Sequence, residues 1–248
     1  MNNRLDKEKA FHDQRFGGDD ERYRVSKYYS ITRLSTAYYE SLVLSLCRGA
    51  NLVEYGCGTG SRALFWAKNG ANVTAIDISD EGIKRAREQA QDAGLDVSFY
   101  QMNAENMEFD ANSFDIVTGT GIIHHLNLKK AYRELSRVLR KDGHAIFIEP
   151  LGHNFIINLY RKLTPSLRTE DEQPLRMEDI EDAKEHFFNV IAEHFHILTL
   201  LSVPLRRFFF FNLLLKGLHF LDRSLITVFP FLRRYSWIVI IHLHKPRK

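Results

Sequence analysis

The chain contains little cysteine and no long apolar run, and both features narrow the classes of protein to which it can belong. Its 248 residues include only Cys47 and Cys57, too few for the disulfide framework of a small secreted protein. Residues 1–10 are charged and lack the apolar core of a signal peptide. No stretch reaches the ~18 uncharged apolar residues that are needed to span a bilayer. We therefore expect a single α/β domain with additions, in the reducing cytoplasm.

Net charge is also small, at +3, but it is unevenly distributed. Residues 205–248 hold nine basic side chains against one acid, Asp222, which makes +8. The other 204 residues hold 25 basic and 30 acidic side chains, which makes −5. A basic, aromatic-rich tail indicates either contact with an anionic surface or substrate, or a solvated rim around a hydrophobic subdomain.

The stretch of residues 51–60, which reads NLVEYGCGTG, is the strongest signal in the chain. It predicts a buried strand, a tight glycine turn and a helix over residues 61–69, whose free N–H groups would face a ligand on the turn. The NAD fingerprint G-x-G-x-x-G places its third glycine where Ser61 stands here. Glu54 lies two residues before the first glycine, where a carboxylate suits a cationic ligand better than a pyrophosphate. An NAD-dependent enzyme is thus a distant alternative.

The pattern E-x-G-x-G-x-G resembles motif I of the class I S-adenosylmethionine (SAM)-dependent methyltransferases, in particular those of small-molecule and ubiquinone biosynthesis. The resemblance implies a Rossmann-like seven-stranded sheet with helices on both faces and an antiparallel last strand. It also implies SAM as the cofactor. The SAM-binding residues that it places in this stretch are Glu54, Gly56, Cys57, Gly58 and Gly60.

A second buried strand, residues 72–77, ends in an acid. Asp77 follows Gly60 by 17 residues, close to the spacing at which Rossmann-type folds present a carboxylate to ribose hydroxyls. The alternative role for Asp77 is to cap the next helix. We assign Asp77 and the adjoining Ile78 to the cofactor site.

A third strand, residues 96–101, precedes a segment that resembles the adenine-contacting part of the family. The family's usual Asp is replaced by Asn103, whose carbonyl can still accept from an adenine amino group, and Ala104 follows it. Glu105 is a weaker alternative. The resemblance therefore adds Asn103 and Ala104 to the cofactor site.

Residues 113–126 resemble the family's fourth-strand motif, a Phe-Asp pair that opens a strand ending in small residues. The resemblance places Thr118 and Gly119 beside the methyl donor. His124 and His125 follow at the carboxyl end of the strand, where open α/β sheets bind ligands. Either histidine is a candidate catalytic base, since imidazole titrates near neutrality, and the alternative is that at least one only orients a loop.

Candidate substrate contacts lie on both sides of this core. Glu149 ends the fifth strand, residues 144–150, and His153 begins an insertion after it, with Asn154 and Tyr160 as weaker candidates. Tyr28 and Tyr29 belong to an N-terminal segment that closes the site in the family, or else are ordinary packing aromatics.

We expect four parts within one integrated domain: a helical cap (1–49), the SAM-binding core (50–150), an insertion with a sixth strand at 194–203 (151–204), and a basic hydrophobic lid with a last strand at 235–244 (205–248). An apolar stripe recurs in the lid at helical spacing. It predicts a lid over an apolar substrate, an interfacial helix, or burial against the domain. The stripe consists of Leu214, Leu218, Leu221, Leu225 and Val228.

The sequence thus predicts an enzyme that transfers the SAM methyl group in line to an oxygen or nitrogen of a small, lipophilic acceptor. The alternatives are a lipid- or quinone-type methyltransferase in peripheral contact with a membrane through residues 205–235, and a non-catalytic SAM-binding protein. We predict neither a metal nor a nucleic-acid partner, because no compact Asp/Asn/His cluster and no Asn-Pro-Pro-Tyr tetrapeptide occur. The acceptor and the oligomeric state stay open.

Overall fold

The structure is a computed structural model that describes residues 3–17, 26–164 and 173–248. Its strands are β1 (Asn51–Tyr55), β2 (Asn72–Asp77), β3 (Val97–Gln101), β4 (Phe114–Thr120), β5 (Leu139–Pro150), β6 (Phe187–Phe195) and β7 (Ile238–Pro246). Its α-helices are α1 (Asn3–Gly17), α2 (Ser26–Leu44), α3 (Ser61–Lys68), α4 (Asp80–Ala93), α5 (Leu128–Val138), α6 (Phe155–Leu163), α7 (Met177–Asp182) and α8 (Phe211–Val228).

The seven strands form one sheet in the order β3-β2-β1-β4-β5-β7-β6. The strands β1 to β5 pair in parallel, whereas β7 runs antiparallel between β5 and β6. All five parallel strands therefore end at the same edge of the sheet, where ligands bind in folds of this kind. The predicted fold class, a seven-stranded Rossmann-like sheet with an antiparallel last strand, is confirmed.

Helices cover both faces of the sheet because its strands are apolar on both sides. Successive residues of a strand point to opposite faces, so that Leu52 packs in one hydrophobic cluster and Val53 in the other. The cluster around Leu52 also contains Trp66 of α3 and Tyr39 of α2. The cluster around Val53 contains Leu135 of α5.

The two N-terminal helices lie across this core. Helix α2 packs through Tyr39 and Val43, both fully buried. Helix α1 lies against the start of α4, where Asp13 Oδ1 accepts from Ser79 Oγ at 2.5 Å and Lys9 pairs with Asp80. The N-terminal segment therefore covers the edge at which the parallel strands end.

The sixth strand lies earlier in the chain than predicted. It spans Phe187–Phe195 rather than residues 194–203, and Leu198–Leu205 form a 3-10 helix instead. His196 adopts a left-handed φ of 69° at the change of direction. The carboxylate of Asp222, from α8, then accepts the N–H groups of Ile197, Leu198 and Thr199. The prediction was wrong because a short apolar run does not distinguish a strand from a helix.

Helix α8 lies between β6 and β7 in the sequence, as the predicted hydrophobic insertion requires. Its inward face differs from the predicted stripe, because Leu221 and Val228 are exposed. The residues that it buries are Phe211, Leu215, Asp222 and Ile226. Across the described part of the chain, no helix is both long enough and apolar enough to cross a membrane.

Candidate active site at the carboxyl edge of the sheet

The glycine loop between β1 and α3 holds its turn by positive backbone angles. Gly56, Gly58 and Gly60 have φ values of +60°, +50° and +86°, a region that favours glycine. A Cβ on Gly60 would lie 2.8 Å from that of Ala86 in α4, so this glycine also allows two helices to pack closely. Helix α3 begins directly after it at Ser61, which leaves the first N–H groups of α3 beside the loop.

Asp77 ends β2 next to this loop. Its Oδ2 accepts from the Gly58 amide at 2.7 Å, and its Oδ1 accepts from the Ser79 amide at 2.9 Å. Burial raises the pKa of the Asp77 carboxyl, and the two N–H donors oppose that rise. Each carboxylate oxygen keeps a second lone pair for a ligand hydroxyl. Binding of ribose by Asp77 stays a prediction.

Glu54 is buried beneath the loop rather than exposed to solvent. Its Oε2 accepts from the indole N–H of Trp66 at 2.7 Å. Burial raises the pKa of Glu54 to about 8, although the Trp66 hydrogen bond and the charge of Arg62 oppose the rise. The neighbouring strand residue Thr118 is also buried, and its hydroxyl hydrogen-bonds that of Tyr39. Binding of a cationic part of the cofactor by Glu54 stays a prediction.

The other predicted cofactor residues occupy the same edge. Cys57 is buried, and burial raises the pKa of its thiol well above the usual value, so it stays protonated. Asn103 lies after β3 and accepts the Glu105 amide at 2.9 Å, and Ala104 beside it is buried. Ile78 is half-buried after β2. Their contacts with a cofactor stay predictions.

The side chain of Ile122 explains why two nearby positions, 56 and 119, are glycine. A Cβ on Gly56 would lie 2.7 Å from Ile122 Cδ1, and one on Gly119 would lie 2.6 Å from Ile122 Cγ2. The same Cβ on Gly119 would also approach Phe147 to 3.0 Å. Glycine at 119 therefore makes room for these two side chains, a packing role that sequence reasoning did not identify.

His124 and Glu149 form a hydrogen-bonded pair at the ends of neighbouring strands. His124 Nδ1 lies 2.6 Å from Glu149 Oε2. Glu149 Oε1 accepts the amides of Ile122 and Ile123 at 2.9 and 3.0 Å. Glu149 is fully buried, so it contacts the histidine and its turn rather than solvent. A carboxylate on one ring nitrogen orients the imidazole.

His125 meets helix α1 instead. Its carbonyl accepts from Arg4, whose guanidinium also pairs with Glu105. Glu105 in turn accepts the amide of Asn127 at 2.8 Å. These contacts hold the first turn of α1 against the segment that follows β4.

A cavity of about 270 Å³ opens at this point. Its wall includes His124 and His125, together with residues from α1, the segment after β4 and the region around α7. The lining residues are Arg4, His124, His125, Leu126, Asn127, Leu128, Gln173, Leu175 and Asp179. The cavity is large enough for a small organic molecule and borders the two catalytic candidates.

The remaining predicted residues have other surroundings. His153 is half-buried, and Asn154 caps α6 by accepting the amide of Ile157 at 3.1 Å. The side chains of Tyr28 and Tyr29 lie outside the described residues, although both belong to α2.

Helix α1 contributes side chains that sequence reasoning missed. The Phe16 ring lies 3.0 Å from the position of a Cβ on Gly58 and 3.1 Å from one on Gly82. Glu8 and His12 lie on the same helix near His125. The N-terminal segment carries no motif, so no sequence signal distinguished these positions.

The sequence of the chain is similar to those of methyltransferases. Residues 53–147 match a family model described as a methyltransferase domain. The chain is 33% identical over 129 residues to an uncharacterized methyltransferase, YcgJ, of Bacillus subtilis, covering 48% of this chain and 51% of that one. It is 29% identical over 113 residues to a ubiquinone biosynthesis O-methyltransferase of Coxiella burnetii, covering 46% of this chain and 48% of that one.

Structural similarity extends further along the chain. The magnesium protoporphyrin IX methyltransferase of Synechocystis PCC 6803, solved with S-adenosylhomocysteine (SAH), superposes with a TM-score of 0.62 at 14% identity. That alignment covers 99% of this chain and 100% of the other. At this identity it supports the fold alone. The chain spans about half the length of the two curated relatives named above.

Proposed function

We propose, from the match of residues 53–147 to a methyltransferase domain model, that the chain transfers the methyl group of SAM to a small acceptor. The acceptor binds in the cavity beside His124 and offers an oxygen or a nitrogen. SAM binds across the glycine loop, with its ribose at Asp77. The resemblance of residues 51–60 to the family's first motif is consistent with that domain match.

The pair of His124 and Glu149 carries the proposal. The carboxylate holds Nδ1 of the imidazole at 2.6 Å, so the ring has a fixed orientation and tautomer. The His124 imidazole is the base that takes the proton of the acceptor, while the acceptor's oxygen or nitrogen attacks the methyl carbon and the bond from that carbon to sulfur breaks, which releases SAH. A positioned base of this kind contributes about 10²–10⁴-fold to a rate. The rest comes from holding nucleophile, methyl carbon and sulfur in line.

Calorimetric titration of the full chain with SAH, with NAD as a control, tests the cofactor. We expect SAH to bind and NAD not to bind. Asp77→Ala should weaken SAH binding by about 10- to 100-fold, since it removes a buried charged acceptor. Asp77→Asn keeps one acceptor oxygen and should lose less. Tighter binding of NAD would exclude the proposal, and SAH binding without turnover on any acceptor would favour a non-catalytic role.

The surface of α6 and α8 supports a second candidate, a methyltransferase that meets a lipophilic acceptor at an anionic membrane. Both helices pack on one cluster through Ile157, Phe211 and Leu215. The outer faces of these helices and the residues just before α8 carry exposed apolar side chains, among them Phe209 at 97% and Leu213 at 77% exposure. Other exposed members include Phe155, Leu159, Leu163, Phe208, Phe220, Leu221 and Val228.

Exposed basic side chains accompany this apolar surface. They are Arg207, Lys216, Arg233 and Arg234. Each cation near an anionic lipid surface contributes about 1 kcal/mol to binding. An amphipathic surface of this composition lies in the headgroup region of a bilayer.

Flotation with vesicles separates this candidate from a purely cytoplasmic enzyme. The full chain should float with phosphatidylglycerol vesicles, less so as salt rises, and not with phosphatidylcholine alone. The double variant Leu213→Ser/Phe220→Ser should stay at the bottom, whereas Tyr100→Ser, an exposed aromatic on β3, should float normally. Equal flotation of both variants, or none of the parent chain, would exclude the membrane surface.

A further inference from the structure

Three metal-binding side chains converge where α1 meets the turn after β4. Glu8 and His12 lie one helical turn apart on the same face of α1. His125 comes from the Ile123–His125 turn. One donor atom from each of the three side chains lies within 4.8 Å of the others. We propose that Glu8, His12 and His125 bind a divalent transition-metal ion of the Zn²⁺ class.

The distance from the Glu8 carboxylate to each histidine is longer than a hydrogen bond and close to the separation of two ligands of one metal ion. Glu8 Oε2 lies 3.5 Å from His12 Nε2 and 3.4 Å from His125 Nδ1. An N–H···O hydrogen bond spans 2.7–3.2 Å. Donors that sit about 2.0–2.1 Å from a tetrahedral ion lie about 3.3–3.4 Å apart. The two measured separations are close to that tetrahedral edge.

The donor set and its burial fit such an ion. The side chains of Glu8, His12 and His125 are 7%, 19% and 14% exposed. Two imidazoles and one carboxylate suit Zn²⁺ and its neighbours rather than Mg²⁺ or Ca²⁺, which prefer oxygen. The rings of His12 and His125 lie 5.8 Å apart and nearly perpendicular, at 78°, so they do not stack. The site gathers one carboxylate and two imidazoles around one point.

The position of the cluster indicates that the ion would hold α1 in place. Helix α1 already contacts the glycine loop through Phe16 and the segment after β4 through Arg4. An ion shared by α1 and His125 would fasten this helix over the cofactor edge. His125 also lines the cavity, and three protein ligands leave a tetrahedral ion one position for water or an acceptor oxygen.

Metal titration of the full chain, stripped with a chelator and without cofactor or acceptor, tests the site. We expect one equivalent of Zn²⁺ to compete with a chromophoric indicator, and Co²⁺ to give the visible spectrum of a tetrahedral site. Glu8→Gln, His12→Gln and His125→Ala should each weaken binding by at least about tenfold.

His242→Ala is the matched control. His242 belongs to a separate group with His144 and His244 on the sheet, where ring centroids lie 5.1–5.4 Å apart. This variant should bind Zn²⁺ like the parent chain. Loss of binding in His242→Ala, or unchanged binding in Glu8→Gln and His12→Gln, would overturn the assignment.

Backbone exchange gives an independent readout. Zn²⁺ should slow hydrogen exchange across residues 4–17 of the parent chain and have no effect there in His12→Gln. Absence of that protection in the parent chain would also overturn the assignment. Because neither readout involves SAM or an acceptor, failure of the metal site leaves the proposed methyl transfer standing, and failure of methyl transfer leaves the metal site standing.

Discussion

His124 Nδ1 lies 2.6 Å from Oε2 of Glu149, a carboxylate that has no exposed surface. The other oxygen of that carboxylate is held by the amides of Ile122 and Ile123. The imidazole is therefore oriented by a group that is itself fixed by the backbone. This relationship joins two strand ends that are 25 residues apart in the chain.

His124→Gln should lower kcat by about 10²–10⁴-fold, because it removes the proposed base. Glu149→Gln keeps an acceptor for the two amides but loses the charge, and it should lower kcat with little change in KM for SAM. Steady-state kinetics together with SAH titration would separate these effects. If Glu149→Gln weakened SAH binding as much as it lowered kcat, positioning of the base would not be its role.

Binding of SAH should release protons at Glu54. With a pKa of about 8, this carboxyl is mostly protonated at pH 7. An ammonium group beside it would lower the pKa and expel close to one proton, so affinity should rise as pH increases towards 8. Calorimetry in two buffers of different ionisation enthalpy measures the release. Glu54→Gln, which keeps the Trp66 acceptor, should release none, and equal release in both proteins would contradict the assignment.

Acid should destabilise the fold through His196. This residue is fully buried between Ser35 Oγ at 2.9 Å and Thr199 Oγ1 at 3.0 Å, and burial lowers its pKa to about 3. The unfolded chain takes up a proton near pH 6.5, so stability is complete above that value and falls as pH drops towards 3. At pH 5 the loss is about 2 kcal/mol.

Denaturant unfolding at pH 7 and pH 5 measures this loss. His196→Asn is the matched variant, because asparagine tolerates the left-handed φ of 69° at this position and does not titrate. The pH dependence should shrink by about 2 kcal/mol in that variant. An unchanged difference between the two pH values would assign the acid sensitivity elsewhere, for example to His194 or His242, whose pKa values burial also lowers to about 4.

Asp222→Ala should lower the free energy of unfolding by at least about 2 kcal/mol. The carboxylate accepts three backbone N–H groups and the Thr199 hydroxyl, and unsatisfied buried donors cost about 1–3 kcal/mol each. Asp222→Asn should cost less. Asp142→Ala, which removes an exposed acid, should stay within about 0.5 kcal/mol of the parent chain.

The sequence predicted the core of the molecule well because its signals there are local. A buried strand, three glycines with positive φ and a strand-ending acid each depend on neighbours within a few residues. The order of the parallel strands then brings Gly58 and Asp77 within hydrogen-bond distance. The fold class is confirmed for that reason, and residues 53–147 match the model of a methyltransferase domain.

The predictions of the sixth strand and of the inward face of α8 were wrong, because the structure of each segment depends on its contacts with the other. Residues 196–205 are as apolar as a strand, but the chain turns at His196 and Asp222 of α8 accepts the first N–H groups of the 3-10 helix that follows. Helix α8 likewise buries the face that carries Asp222, so its inward side is rotated from the stripe of leucines. The periodicity of apolar residues predicts which apolar side chains face inward. It does not predict that an acid is buried because it accepts several N–H groups.

By itself the sequence determined the sheet and the glycine loop and predicted the kind of cofactor, since these follow from residue type and spacing along the chain. Only the tertiary structure decided which histidine pairs with Glu149 and which one meets α1. Glu149 reaches His124 across two neighbouring strands, and Glu8 and His12 reach His125 from more than 110 residues away. Contacts of that kind depend on where elements pack, which no local pattern encodes.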